Sequence, residues 1–586
     1  MPEPRRRRLW LFAAALLVSC GLLYAVNPAA GGLGNWQEST RALVSREMQR
    51  TGEFIAPTIF GEVYLNKPPL LNWIVVAIAE ARDALLGGGE VRVADLRLAA
   101  ALAGTLGIFA TFGVAGILFR DTRRPGFGST VAVWSAALLM TGILMVRSSR
   151  MGEIDVLLVP AVVAAVGAML LIWRGVIDQT HPPLSPAKGW ALVLLASLAA
   201  AFAALAKGPP PLAVIALGGL LAPIVVTSRR IPAGPARGTR RSACVVLGAA
   251  LAIAFGAVNV DDTNAALGLL VYALLGAVLG QWVADLARPA AAAAWWPGVW
   301  KTQPWLVLGA GFGVLWLWLT MAEARVGEAT VAAVVAEQAE GNLVAFSPEA
   351  AWRNLGFVTY AVGAGSLLAW LALARIARDR PRLAFNEAAV AVWVVLGFAL
   401  FSMFAKGVAR YMTPMWPAIA MLGASWLALV SWEARRFAKP ARLAAAAAIA
   451  LLFVGQLWWY AIGRDESPAA SERRAVAQAI IARAETGGLD PRRVISKYDG
   501  LDSVAFYVDA PVEQWRPTDP DISWDVVAQR VRQAGPYVVV VQGARRFERE
   551  TAAAQAAGLR VEIVPHESRD YLILLVKPQE IGDDGG

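Results

Sequence analysis

Up to about residue 460 the chain is a succession of apolar runs roughly 17–25 residues long, the length a helix needs to cross about 30 Å of hydrocarbon. Such runs must be helical, because lipid answers no unpaired backbone N–H or C=O. They begin with Leu9–Val26 and recur near 93–119, 129–146, 155–173, 189–206, 210–227, 242–258, 264–284, 303–322, 355–374, 387–404, 413–430 and 443–462. A polytopic α-helical membrane protein of about thirteen spans is expected. At 57% hydrophobic and 17% charged residues over 586 positions, the chain is too apolar for one soluble domain. Arg5–Arg8 before the first run resembles a signal peptide, but no small-residue cleavage pattern accompanies it, so a retained first helix is expected.

The net charge of +10 resolves into basic loops between spans: Arg120–Arg124, Arg229–Arg241, Arg375–Arg382 and Arg435–Arg442. Counted from a cytoplasmic Arg5–Arg8, all of them fall on the cytoplasmic side, as the positive-inside rule requires. This basicity is a topology signal, and nucleic acid is not an expected partner. The two cysteines, Cys20 and Cys244, lie in apolar runs and make no disulfide scaffold.

Two domains are expected, a membrane domain over 1–463 and an extracytoplasmic α/β domain over 464–586. In the second, Ala475–Ala484, Trp524–Ala534 and Phe547–Ala557 read as helices. Arg493–Ser496, Val504–Val508, Tyr537–Gln542, Val561–Val564 and Tyr571–Val576 read as strands. Gly487-Gly488 and Gly500 read as turns. The first outer loop, about 27–69, is long and polar. Its Thr40–Thr51 segment reads as a helix with Ser39 or Thr40 as N-cap and Gly52 just past its end. Leu70–Leu86, with Glu80, Arg82 and Asp83, suits the membrane interface. A second outer loop, Glu323–Asn354, is polar and acidic.

Glu38 stands just before that helix, where the dipole favours negative charge. It either helps to cap the helix or serves as a general base. Lys67-Pro68-Pro69 sets a cation on a stiff segment that re-enters the membrane; it meets a phosphate or simply snorkels to the interface. Three more outer span ends carry charge: Arg147, Arg150, Glu153 and Asp155; Lys207 before Gly208-Pro209; and Lys406, Arg410 and Tyr411 before Pro414. Ionisable groups at membrane depth cost about 2.5–3.5 kcal/mol on insertion scales. Several cations at outer ends, against the positive-inside trend, require anionic partners.

These motifs carry a resemblance. The pattern E-x-x-x-A-x-x-x-R-E-M-x-x-x-G from Glu38 to Gly52, followed by Y-x-x-K-P-P-L-x-x-W from Tyr64 to Trp73, resembles the first outer loop of the GT-C glycosyltransferases. Arg150 with Asp155, the Lys207-Gly208-Pro209 turn, and Lys406 to Pro414 follow in the family's order. Aminoarabinose transferases acting on lipid A and bacterial relatives of protein O-mannosyltransferases are the relatives suggested. The resemblance implies a bacterial inner-membrane enzyme and a polyprenyl-phosphate sugar donor. The acceptor is an extracytoplasmic glycan, lipid or protein, and transfer inverts the anomeric carbon. Glu38 would be the base, with Asp155 and Glu153 orienting sugar or acceptor. Arg41, Lys67, Arg150, Lys207, Lys406, Arg410 and Tyr411 would bind substrate. The family's usual Asp is replaced here by Gln37, which cannot accept a proton, so either Glu38 has taken that role or the site is altered. No cofactor is implied. Some relatives hold a divalent metal through a residue beside the Lys-Pro motif and a histidine in a later outer loop. Here Asn66 precedes Lys67, and neither His181 nor His566 lies in a membrane-flanking outer loop, so no metal site is expected.

The alternatives are a lipid-linked sugar transporter or flippase, and a non-catalytic lipid-sugar-binding relative. A transporter would often show repeated halves or mid-span charges; the sequence has no evident repeat, and its charges gather at outer span ends.

Overall fold

In a computed structural model, the described residues are 3–579 apart from 34–35, 122–123, 178–182, 230–245, 248–249, 251–288, 341–347, 379–383, 403–407, 434, 462–467, 487–488, 498–501, 516–522 and 569. They form two compact units. One comprises Met1–Val26, Leu65–Leu71 and Leu98–Leu457; the other comprises Asn27–Tyr64, Asn72–Arg97 and Trp458–Gly586.

The first unit is helical. Among the described residues, eight helices are long and apolar enough to cross a membrane. Two bent pairs raise the number to ten: Phe127–Met140 with Ile143–Arg150 (61°) and Trp352–Tyr360 with Ala364–Arg378 (110°). These ten correspond to ten of the expected spans. The first expected span is a shorter apolar helix, Leu11–Ala25. Those at 242–258 and 264–284 lie outside the described residues, so a count of thirteen is not reached.

The two bends meet. Leu144 N–H donates to the Ala361 carbonyl at 3.2 Å. Met140 O accepts from the Tyr24 hydroxyl at 2.8 Å, and Thr141 O from Gln456 Nε2 at 3.0 Å. Broken helix is tolerated at membrane depth where protein satisfies the freed backbone groups in this way. A Cβ at Gly142 would sit 3.2 Å from Ala361 O and Val362 Cα, so glycine lets the two bends approach.

The second unit contains a five-stranded sheet, ordered β4-β3-β5-β7-β6. Its strands are β3 (Val494–Lys497), β4 (Val512–Trp515), β5 (Tyr537–Gln542), β6 (Leu559–Ile563) and β7 (Tyr571–Pro578). β3 pairs in parallel with β4 and β5, whereas β7 is antiparallel to β5 and β6. Side chains alternate between faces along a strand. Ile495, Val539 and Val541 pack with helices Trp524–Ala534 and Phe547–Ala556, while Val494, Val538 and Val540 pack with Pro468–Glu485 and Val504. Burial on both faces explains the unbroken valine run of β5.

Two sequence readings change. Val504–Val508 belongs to a helix, Asp502–Val508, instead of a strand. Its β-branched and aromatic residues suit a strand by propensity, but tertiary packing of Val504 and Phe506 decides. The first-loop helix starts at Trp36, earlier than expected, and runs to Thr51. Ser39 and Thr40 therefore lie inside it, and the Thr40 hydroxyl approaches the Trp36 carbonyl at 2.8 Å, the back-bonding of a helix interior. Gly487-Gly488 and Gly500 fall outside the described residues.

Candidate functional site

The membrane unit gathers charge where three helices begin or end. Asp155 lies in a tight turn, Ile154–Leu157, that leads into helix Leu158–Ile177. Lys207 closes helix Pro186–Lys207, with Gly208 at φ +84° releasing the chain. Arg410 and Tyr411 stand in the turn Ala409–Met415, which leads into Trp416–Glu433. Lys207 Nζ pairs with Asp155 Oδ1, and Arg410 Nε lies 3.9 Å from Asp155 Oδ2. Both cations also approach the Tyr411 ring, at 4.4 Å for Lys207 and 5.6 Å for Arg410.

Glu153 is 4% exposed and accepts from the Ser148 hydroxyl at 3.2 Å. Asp155, Arg147 and Arg410 all act on it electrostatically. Among the described residues, the neighbourhood thus holds the cations Arg147, Lys207 and Arg410 against the carboxylates Glu153 and Asp155, leaving a positive surplus. Other expected residues behave differently. Arg150 donates to the carbonyls of Leu23 and Val26 at 2.7 and 2.8 Å, tying down the end of the first helix. Lys67 Nζ donates to Gln338 Oε1 at 3.1 Å. Lys406 lies outside the described residues.

The second unit holds the first-loop motif. Glu38, 1% exposed, is gripped at both oxygens by Arg97: Nε to Oε1 at 2.6 Å and Nη2 to Oε2 at 3.0 Å. The same guanidinium donates to the carbonyls of Pro28, Ala30 and Gly32. One side chain therefore fixes both the entering chain and the carboxylate. One turn further, Arg41 is 7% exposed. Its Nη2 donates to the Tyr64 hydroxyl at 3.1 Å, and Nη1 is buried without a hydrogen-bond partner. No carboxylate pairs with it among the described residues. A buried guanidinium so placed lacks its counter-charge.

Glu47 of the Arg46-Glu47-Met48 motif anchors a hairpin formed by β1 (Thr58–Ile59) and β2 (Glu62–Val63). It accepts from Thr58 Oγ1 at 2.6 Å, Gly61 N at 2.7 Å and Phe60 N. Phe60 and Gly61 both have positive φ, as a tight hairpin turn requires.

Sequence reasoning missed Arg97 and the role of Tyr64. Arg97 had a readable signal: it is a lone cation near the start of an apolar run, where a charge needs a partner. Among the described residues no three His, Cys, Asp or Glu side chains group to hold a metal. His566 bonds the carbonyls of Val564 and Tyr571 in the sheet domain.

Residues 37–263 match the PMT family, described as dolichyl-phosphate-mannose-protein mannosyltransferase. ArnT from Cupriavidus metallidurans bound to undecaprenyl phosphate superposes with a TM-score of 0.60 at 16% identity, covering 99% of each chain. ArnT from Cupriavidus metallidurans in the apo state gives 0.56 at 17%, covering 98% of each. No curated protein sequence matches. At these identities the structural likeness is one of fold.

Proposed function

We propose that this chain is a membrane glycosyltransferase of the GT-C type that moves a sugar from a polyprenyl-phosphate carrier to an extracytoplasmic glycan, lipid or protein, a reading supported by the family match over residues 37–263 and by the shared fold. The observation that carries this reading is the positive surplus around Asp155, where Lys207 and Arg410 converge on one buried carboxylate. A solved protein of the same fold was crystallised with undecaprenyl phosphate, and a lipid phosphate has the charge that such a surplus attracts.

By the resemblance of its motif, Glu38 takes the proton of the acceptor hydroxyl, whose oxygen attacks the anomeric carbon from the face opposite the phosphate. The bond from that carbon to the phosphate oxygen breaks, the configuration inverts, and polyprenyl phosphate leaves. Lys207 and Arg410, with Lys67, offset the charge that grows on the departing phosphate. In the membrane unit Asp155 and Glu153 hold the cations and orient hydroxyl groups; within its own unit Arg41, buried without a counter-charge, offers an anion contact beside Tyr64.

In nanodiscs with radiolabelled polyprenyl-phosphate sugar, Lys207→Ala and Arg410→Ala should each weaken donor binding and transfer about 10–100-fold, the range for losing one charge-assisted contact. Wild-type binding and turnover in both variants would remove this phosphate site. A second reading, a lipid-sugar-binding protein without turnover, is favoured by Gln37 and by Arg97's grip on both Glu38 oxygens. Donor binding without product in the same assay would establish it.

A further inference from the structure

The helix that carries Glu38 is held by a short helix more than 450 positions away in the sequence. Thr40 Oγ1 lies 2.5 Å from Asp502 Oδ2, at the start of helix Asp502–Val508. Two turns along, Arg46 Nη1 donates to the Phe506 carbonyl at 2.8 Å, and its guanidinium covers the Phe506 ring at 3.6 Å. One turn further, Arg50 forks onto Asp509 at 2.9 and 2.8 Å and also grips Glu90 at 2.7 and 2.6 Å. Upstream, the Tyr507 hydroxyl accepts from Leu33 N–H at 3.1 Å.

These contacts differ in chemistry and fall at both ends and the middle of the first-loop helix, so together they fix its rotation and its height. Asp509 sits at φ +57°, a left-handed conformation that Asp and Asn tolerate. That conformation ends the short helix and leaves the carboxylate facing Arg50.

We propose that Asp502–Val508 with Asp509 is a clasp that positions Glu38, making Asp502 and Asp509 positioning residues for transfer. This rests on Glu38 being the base, as read above. The sheet domain then belongs to the reaction machinery, because its clasp sets where the carboxylate stands. A base displaced by about 1 Å loses up to about 10²-fold in rate without losing the substrate.

The test is a double-mutant cycle in full-length protein in nanodiscs, read by single-turnover transfer and donor binding. Asp509→Asn keeps the left-handed backbone and removes the charge; Asp502→Ala removes the Thr40 contact. Arg50 and Asp509 are partly exposed, so Asp509→Asn should leave the fold intact, and thermal unfolding verifies this. Each variant should slow transfer roughly 10–100-fold with donor binding unchanged, and neither should slow Glu38→Gln any further. Full activity in both variants, or an undiminished loss in the Glu38→Gln background, would overturn the clasp. Near-normal turnover of Glu38→Gln alone would instead strike the base assignment. The two failures are thus distinguishable.

Discussion

Glu38 and Arg97 bind each other through both oxygens and two nitrogens, and each is buried. Breaking a buried pair by removing one member costs about 3–5 kcal/mol, because the survivor keeps its desolvation penalty. Arg97→Ala should therefore lower the unfolding temperature sharply and release the 28–32 segment. Glu38→Asp keeps a charge for Arg97 and should be milder. Glu38→Gln should slow single-turnover transfer about 10²–10⁴-fold, the usual worth of a placed base, with donor binding retained. Wild-type thermal stability in Arg97→Ala would mean that the pair contributes nothing. At this scale the sequence revealed one partner at a time. Glu38, Asp155, Lys207 and Arg410 stood out because charge at a span end needs an explanation. Which charge answers which depends on helix packing, and neither the 59-position step from Glu38 to Arg97 nor the 52-position step from Asp155 to Lys207 leaves a local pattern.

Among elements, the clasp carries its own pH dependence. The hydrogen bond from Arg50 holds Glu90 below the usual carboxylate range, with the charges of Arg50 and Arg46 adding to it against burial. Burial pushes Asp509 upward, but hydrogen bonds and charge from Arg50 and Arg46 outweigh it and keep it low. Carboxylates lowered by folding contribute stability above their unfolded values near 4 and lose it as pH falls through the folded values. Amide exchange across Trp36–Thr51 should thus be equally protected from about pH 8 to 5 and lose protection only in stronger acid. In Asp509→Asn the protection should already be weaker between about pH 8 and 5 and should converge with wild type in stronger acid, where the wild-type carboxylate is also uncharged; loss of wild-type protection already near pH 6 would contradict this assignment. Element type was legible where pattern and burial agreed: Trp524–Ala534 and Tyr537–Gln542 emerge with their expected bounds. The clasp was not legible, because valine, phenylalanine and tyrosine in a seven-residue helix give the local signal of a strand.

For the molecule as a whole, the expected orientation follows from where the basic loops lie. With Cys20 and Cys244 replaced, cysteines at the exposed positions Thr51 and Gln555 should react with an impermeant thiol reagent on cells stripped of any outer membrane. One at exposed Ser185, before helix Pro186–Lys207, should not. Labelling at Ser185 alone would invert the orientation. Spans were the most legible feature, since the hydrocarbon sets their length and composition together. The bends at 141–142 and 361–363 were not, because what stabilises them is each other.

The clasp also sets a clock on biogenesis. Thr40 and Asp502 are 462 positions apart, so at about 5–20 residues per second the ribosome needs roughly 20–90 s to pass from one to the other. Throughout that interval the nascent loop helix is already made while the residues that hold it do not yet exist. A chain released early would lack the residues that hold this helix, so on the proposed clasp and base, transfer would begin only once synthesis has reached the far end.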